Sequence, residues 1–361
     1  MKKSVTGSVN RRSRRRLAAI IAACAVAVVL VAVLVPRLAD SDTVRIRDWH
    51  DLHRVRDDLA GSYVLMNDLD STTPGYAELV GATSNDGKGW EPIGQAFFLE
   101  EGVFGERFEG TFDGRGYEIR DLFIGRFDEN TVGLFGVVGG EGVIRNVGVV
   151  GANVTGHFTV GALAAMNLGS VSNSCSTGSV VGNSGVGGLL GGNVYGASVT
   201  SCYSTASASG HMIVGGLVGV NTMATVTDSY ATGSVTRGYG GNLSFGGFVG
   251  RNTEGSVVNC YSTGSVYYQE GVVPADNGFA GTVVADGGYE MNGNYWDVEA
   301  SGQSSTAGDA TGLTTAEMMD VATYEGWSIA AVDSPGRRNT AYTWNMVEGE
   351  TYPFLSWQRP S

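Results

Sequence analysis

The chain has 361 residues, of which 56 are glycine, 7 proline and 4 cysteine. Glycine is thus about twice as frequent as its usual ~7%, but no Gly-X-Y period accompanies it, which excludes a collagen triple helix. Four cysteines exclude a small fold held by disulfides. Because 42% of the residues are hydrophobic, a disordered chain is also excluded.

Charge is distributed unevenly along the chain. Residues 1–41 hold 8 of the 23 basic residues and a single acid. The remaining residues carry 15 basic and 35 acidic side chains, and Lys88 is the one lysine among them. Because so acidic a body repels phosphate backbones, we expect no nucleic-acid partner.

The first predicted element is an apolar helix close to the N-terminus. A basic segment is followed by an uninterrupted apolar run over residues 17–35. Nineteen helical residues span ~28 Å, which is close to the ~30 Å hydrocarbon core of a bilayer. The sequence therefore predicts a basic cytoplasmic tail over residues 1–16 and a single-pass membrane anchor over 17–35, with the body outside the cell.

Alternatives to a retained anchor stay open. A cleaved signal peptide would give a secreted body, although no clean A-x-A site follows the run, since Ala39 has Arg37 two residues before it. Residues 13–17 fit a twin-arginine export signal in part. Residues 21–24 resemble a lipoprotein box, but the apolar run continues past Cys24. All of these readings predict an exported body.

The next segment, residues 44–130, is predicted to form an N-terminal cap and entry coils. Leu52, Val55 and Leu59 follow a 3–4 spacing, which predicts a short amphipathic helix with Asp48 as its N-cap. Further along, the motifs at residues 67–70 and 112–114 contain Asp68, Asp70 and Asp113. These carboxylates offer hard oxygens for Ca²⁺, or they hold turns by bonding their own backbone.

Two phrases then alternate along the chain. The first reads V-G-G-L-V-G-x-N in its most regular form, and it starts at intervals of 26, 28 and 31 residues. Its full copies begin at Val160, Val186, Val214 and Phe245. The second contains S-T-G-S-V and interleaves with the first at matching intervals. The repeat region is assigned to residues 131–298 and a C-terminal cap to residues 299–361, with a short helix expected over 314–323.

The repeat unit favours strands. Its apolar runs are too short and too rich in glycine for helices, and a period near 27 residues allows about three short strands and three bends. Such a unit cannot bury its apolar face alone, so neighbouring coils must stack at ~4.8 Å. The sequence therefore predicts an all-β fold, a parallel β-helix (β-solenoid) of Gly-rich coils with short helical caps, preceded by one transmembrane helix. Crossover rules favour the right-handed form.

Stacking places like residues in columns. The valine and leucine positions of the first phrase are predicted to face inward, for example Leu217 and its equivalents. The asparagine position is predicted to lie at a left-handed turn, where each amide bonds the next. Its members are Asn167, Asn193, Asn221 and Asn252.

The cysteines fit the same columns. Cys202 and Cys260 fall in a small inward column two coils apart, near ~10 Å, which exceeds the ~7 Å Cα limit for a disulfide. Cys175 falls in the next column and faces the other way. We expect three free thiols and no metal site, because cysteine and histidine ligands are not clustered.

The V-G-G-L-V-G-x-N phrase resembles the GLUG-motif family of exported bacterial and archaeal proteins. Segments 63–70, 90–94 and 108–114 resemble the entry coils of such chains, and the resemblance covers about residues 44–357. It implies a β-helical surface or secreted protein, sometimes placed beside a metallopeptidase as in IgA-cleaving enzymes. It implies no single shared catalytic activity.

One stripe of the repeat is a candidate binding site. Tyr203, Tyr230, Tyr261 and Trp296 are assigned to the position after the small inward column, and strand alternation then points them outward. Stacked exposed aromatics bind sugar faces or a partner protein. The alternative is a self-stacking structural ladder covered by a loop.

The sequence offers no recognisable catalytic motif. None of the four histidines is followed by Glu, and no G-x-S-x-G, G-x-G-x-x-G or Walker loop occurs. Residues 160–265 contain four charged side chains. We therefore predict no catalytic residue, metal or cofactor, and a non-enzymatic cell-surface binding or adhesion module for an extracellular glycan or protein. The alternatives are a glycan-processing lyase or hydrolase that uses the acids between Glu100 and Asp128, and a purely structural spacer.

Overall fold

The structure is a computed structural model that describes residues 43–99, 102–238, 244–268, 277–285 and 289–359. The predicted tail and anchor, residues 1–16 and 17–35, lie outside the described residues. Within the described residues, no helix is both long enough and apolar enough to cross a bilayer.

Successive coils of the body stack as parallel strands, so the predicted β-solenoid is confirmed. Two long sheets run along it. Sheet 1 contains Val44–Ile46, Ser62–Leu65, Thr111–Asp113, Val143–Arg145, Ser170–Ser172, Ser198–Thr200, Thr225–Thr227, Ser256–Val258 and Met291–Asn292. Sheet 2 contains Glu118–Arg120, Phe123–Gly125, Gly148–Thr155, Cys175–Val181, Tyr203–Ser204, Ser207–Gly210, Tyr230–Ala231, Val235–Arg237, Tyr261–Ser262, Val266–Tyr268, Tyr295–Asp297 and Thr311–Leu313.

Two shorter parallel sheets complete each coil. Sheet 3 contains Phe158–Gly161, Ser184–Gly187, Ile213–Gly215 and Ser244–Gly246. Sheet 4 contains Phe135–Val138, Ala164–Asn167, Leu190–Val194, Val218–Thr222, Val249–Thr253 and Ala280–Val284. A full coil visits sheets 3, 4, 1 and 2 in that order.

Small elements outside the coils lie near each end. An antiparallel hairpin joins Ala96–Leu99 to Gly102–Gly105. A small sheet near the C-terminus contains Ile329–Ala331, Trp344–Met346 and Phe354–Leu355. The helices are Trp49–His53, Tyr76–Leu79, Val298–Ser301 and Thr315–Met318, with 3₁₀ turns at Arg54–Asp57, Asn85–Gly87 and Val321–Tyr324.

The predicted inward columns are confirmed. In sheet 3, Val214 pairs in register with Val186 on one side and with Phe245 on the other. All three side chains are buried, and so is Leu217. Because each coil places the same residue type above the last, the interior of the solenoid is a continuous hydrophobic core.

The Gly-Gly pair of each coil is required by close approach of the backbone. A Cβ on Gly215 would overlap the carbonyl oxygen of Val218, and one on Gly216 would overlap that of Gly247. The pair divides one side of the coil between sheets 3 and 4, so a coil holds more than the three strands expected. In the first full coil Ala162 replaces the second glycine and is still fully buried.

The asparagine column forms the predicted amide ladder. The Nδ2 atoms of the first three asparagines each donate to the Oδ1 of the asparagine one coil further on, at 2.8–2.9 Å. The amides also donate to turn carbonyls, such as Asn252 to Gly255 O at 2.7 Å. All of the ladder side chains are fully buried. The ladder therefore satisfies polar groups inside an otherwise apolar interior.

The left-handed turns lie elsewhere than predicted. The ladder asparagines are strand residues that face inward, whereas the positive φ angles occur two residues later, at Tyr195, Met223 and Glu254. A second left-handed corner lies between sheets 1 and 2. Its members are Asn146, Asn173, Ser201, Asp228 and Asn259.

Both predicted cap helices form, but each is shorter than expected. Asp48 caps Trp49–His53, with its carboxylate accepting from the Asp51 amide at 2.8 Å, and a 3₁₀ turn follows directly. At the other end, Thr314 and Glu317 form a capping box. The helix they start stops at Met318.

Candidate functional site

The predicted aromatic stripe forms a stacked ladder on the outer side of sheet 2. Tyr203, Tyr230 and Tyr261 pair in register on adjacent coils. Their ring centroids are 4.9 Å apart, and neighbouring rings are within 3–4° of parallel. The rings therefore repeat at the strand spacing and face away from the solenoid interior, as alternation predicts.

The ladder is covered, which corrects the prediction of an exposed stripe. Tyr230 and Tyr261 are only 6% and 2% exposed, because a later part of the chain folds over them. We call residues 327–359 the C-terminal strap. The tyrosines, the strap and the helix that precedes it form a second hydrophobic core, the aromatic core, made of Tyr230, Tyr261, Met318, Tyr324, Trp327, Trp344, Met346 and Leu355.

Trp296 does not belong to the ladder. Tyr295 pairs with Tyr261, whereas Trp296 pairs with Ser262, packs into the solenoid core and is 6% exposed. The small inward column continues through Asn294, whose Oδ1 accepts from the Cys260 amide at 3.1 Å. The residue after the small column is therefore Tyr295, and the assignment of Trp296 is wrong by one position.

The strap runs back along the solenoid, from the last coils toward the first. Trp327 donates to Gly293 O at 3.1 Å, Trp344 to Asp228 Oδ1 at 3.3 Å, and Trp357 to Ser201 O at 2.8 Å. Two ladder hydroxyls also bond the strap: Tyr261 donates to Pro353 O, and Gln358 donates to the Tyr230 hydroxyl, both at 2.6 Å. The strap is thus fixed to several coils through specific polar contacts.

Burial makes the phenols beneath the strap and the thiols of the neighbouring coils poor acids. It raises the pKa of Tyr230 and Tyr261 well above the ordinary value. It also raises the pKa of Cys175 to about 11 and that of Cys202 to about 12. Cys175, Cys202 and Cys260 are free thiols, as predicted. Because a thiolate is the reactive form, these thiols are not activated nucleophiles.

An open groove remains where the end of the strap meets the entry coils. It consists of two adjoining cavities of about 200 and 340 Å³ that share Trp357. We call it the Trp357 groove. Its polar and aromatic lining comprises Asp113, Arg115, Glu118, Asn146, Tyr203, Trp357 and Arg359.

Trp357 is held rigidly at the centre of this groove. Its indole N–H donates to Ser201 O, and its ring lies 5.6 Å from that of Tyr203 at a tilt of 32°. The side chain stays half-buried, so part of the ring lines the groove. A fixed, partly exposed indole is the kind of anchor on which binding sites are built.

The carboxylates of the groove are paired with arginines. Asp113 receives the Arg145 guanidinium at 3.0 Å, the Asn146 amide at 3.0 Å and the Arg115 backbone N–H at 2.8 Å. Burial acts to raise the pKa of Asp113, but these hydrogen bonds and the Arg145 charge outweigh it, so the pKa is lowered. Glu118 forms an ion pair with Arg120.

Two cations of the groove have no acidic partner. Arg115 and Arg359 are exposed, and neither forms an ion pair within the described part of the chain. Arg115 contacts Met66 Sδ at 3.8 Å, and Arg359 lies 6.0 Å from the centre of the Tyr117 ring. The buried Oε2 atom of Glu118, in contrast, lies against the Arg120 guanidinium. The groove therefore offers two cationic donors to solvent.

The acids proposed for Ca²⁺ hold turns. Asp70 accepts from the Thr72 amide and hydroxyl at 2.8 and 2.7 Å, and Asp68 accepts from the Glu118 amide at 2.9 Å. Among the residues that the structure describes, no group of three histidine, cysteine or acidic side chains is placed to hold a metal.

Several entry-coil acids of the enzyme alternative are engaged in ion pairs. Glu109 lies 3.3 Å from Arg107, and Asp128 lies 3.8 Å from Lys88. Glu100, at the start of that segment, lies outside the described residues. Sequence reasoning missed the groove because Trp357 and Arg359 are not part of the repeat.

The stacked coils and their internal ladders define a parallel β-solenoid protein. Two successive copies of the GLUG motif match residues 210–236 and 241–267, so the chain carries the motif of the family that its repeat resembles.

Two relatives are similar to part of this chain. The chain is 40% identical to halomucin of Haloquadratum walsbyi over 130 residues. This aligned segment is 36% of this chain and 1% of halomucin. It is 42% identical over 90 residues to a protein of Evansella cellulosilytica that is provisionally described as a Gly-rich membrane protein. This aligned segment is 24% of this chain and 10% of that protein. The likeness thus concerns a small part of each relative.

A solved structure shows the same fold. It is a protein from Bacteroides ovatus provisionally described as an immunoglobulin A1 protease, and it matches with a TM-score of 0.53 and 18% identity. The match covers 89% of this chain and 94% of the other. At this identity the likeness supports the fold alone.

Proposed function

We propose that this protein is a non-enzymatic surface module, anchored in the membrane through residues 17–35, whose exported solenoid binds an extracellular ligand. The observation that carries the proposal is the Trp357 groove, in which a fixed indole lies beside two arginines that form no ion pair with the described residues. Clefts that combine an aromatic surface with a few placed polar groups are typical of binding sites. The name of the Evansella relative supports membrane attachment.

Location is tested by protease treatment of intact cells that express the full chain. Because basic residues precede the apolar run, we expect the body to be degraded and the short tail to be protected. A soluble protein that begins near Ala39 would show cleavage and a secreted body. Protection of the body from protease would contradict export.

Binding is tested with an array of glycans and matrix proteins probed with the full chain. We expect a ligand whose binding is lost in Trp357→Ala and kept in Tyr195→Ala. Tyr195 is a suitable control because it is 60% exposed at a left-handed corner between sheets 4 and 1. Equal binding by both variants would contradict the assignment of ligand binding to the groove. Release of shortened products from a bound glycan would favour the enzyme alternative.

A further inference from the structure

We propose that the Trp357 groove recognises a carboxylated sugar unit of an acidic glycan. This inference rests on the proposed binding function and names the ligand class of the same site. Three features of the groove support it: its local charge, the position of its arginines around the indole, and the carboxylate of Glu118.

Local charge is the first feature. The exported body carries 15 basic and 35 acidic residues, yet four arginines gather around this groove. Two of them, Arg120 and Arg145, neutralise the two carboxylates that line it. Arg115 and Arg359 remain, so the groove has a positive excess in a protein that is otherwise negative. An anionic ligand suits it, and a cationic one does not.

The second feature is the placement of the remaining cations. Trp357 lines both cavities, whereas Arg359 lines the first and Arg115 lines the second. A guanidinium binds a carboxylate through two parallel hydrogen bonds, which fixes orientation as well as affinity. A ring that lies on the indole can therefore extend a carboxylate toward the guanidinium on either side.

The third feature is the carboxylate of Glu118. This residue lines the groove, and its buried Oε2 atom lies against the Arg120 guanidinium. A carboxylate accepts hydrogen bonds only, so hydroxyl donors suit this part of the lining and add no further negative charge. An acidic sugar supplies a flat ring face, hydroxyl donors and a carboxylate within one unit. An acidic peptide would instead place its own carboxylates against Glu118 and Asp113.

The experiment is titration of the full chain with three carboxylated probes, namely oligogalacturonate, a hyaluronan oligosaccharide and sialyllactose. The control ligand is the methyl ester of whichever probe binds, since it keeps the ring and removes the charge. We expect at least one probe to bind, its ester to bind about 10-fold more weakly or worse, and added salt to weaken the acid form.

Three variants locate the site. Arg115→Gln and Arg359→Gln are each expected to lower affinity about 10-fold. Arg337→Gln, at another exposed arginine of the strap, is expected to leave it unchanged. Because Trp357→Ala also removes packing on Tyr203, the two groove arginines carry the test, and the melting temperature of each variant is measured alongside.

Several results would overturn the inference: no binding of any probe, equal binding of acid and ester, unchanged affinity in both groove variants, or equal binding of poly-glutamate. If the array finds a neutral glycan or a protein that depends on Trp357, the proposed binding function stands and the acidic-sugar inference fails. If no ligand depends on Trp357, both fail.

Discussion

The solenoid interior and the aromatic core exclude water by different means. In the interior, each coil repeats the residue types of the last, so Val186, Val214 and Phe245 stack as one column. In the aromatic core, a repeated ladder of tyrosines meets residues that occur once, such as Trp344 from the strap. The first core is therefore built from residues one repeat period apart in the chain, and the second depends on contacts between residues more than 100 positions apart.

The largest expected effect on stability comes from a substitution in the solenoid interior. Leu217→Asp places a carboxylate at a fully buried position within an apolar column, and an uncompensated buried charge costs about 3–5 kcal/mol. We expect urea denaturation to show a loss of that size or a chain that fails to fold. Thr225→Asp, on the exposed side of sheet 1, is the control and should change stability little. Equal stability of the two variants would contradict the inward column.

A smaller but still large effect is expected in the aromatic core. Tyr230→Ala removes a ring that stacks on two tyrosines and accepts from Gln358, so we expect a loss of about 3–5 kcal/mol. Thermal melting with ligand binding measured on the same sample is the check. A loss of affinity with an unchanged melting temperature would show that the ladder is a binding column after all.

The smallest expected effect on stability is a gain. Burial raises the pKa of Asp228, so the folded protein is stabilised when this carboxyl is protonated and loses stability as pH rises through its folded pKa. Asp228→Asn removes that penalty and keeps an oxygen for the Trp344 N–H. Asparagine already occupies equivalent left-handed corners, for example at Asn259.

We therefore expect Asp228→Asn to raise the melting temperature at pH 7, within the ~0.5–2 kcal/mol typical of stabilising substitutions. Melting curves at pH 7 and pH 3 are the measurement. The difference between the variant and the parent should shrink at pH 3, where the parent carboxyl is protonated. A variant that is less stable than the parent at pH 7 would contradict the assignment of burial as the dominant cause.

The repeat made the coils predictable from sequence. Equal intervals between like residues assigned the inward columns, the amide ladder and the free thiols, because stacked coils bring residues one period apart into contact. The left-handed corners were misplaced because residues other than asparagine, such as Tyr195 and Met223, adopt them. Trp296 was misassigned because the last coil is longer, with 34 residues between Cys260 and Asn294.

The groove and the cover of the ladder were not predictable in the same way. Asp113 and Trp357 are far apart in the chain, and no period relates them. Strand alternation correctly predicted that the tyrosine side chains point away from the solenoid interior, but it does not indicate which segment covers them. The sequence signal for a cover was the group of tryptophans after the last repeat. An aromatic surface outside the solenoid core needs further apolar side chains to pack against it.

The strap also changes how the solenoid comes apart. In a stack of coils that touch only their neighbours, the end coils can fray while the middle stays folded. Here the strap, anchored at Gly293, Asp228 and Ser201, ties the last coil to the early ones. Unravelling from the C-terminal end first requires peeling the strap off several coils together. The body should therefore melt as one cooperative unit instead of coil by coil.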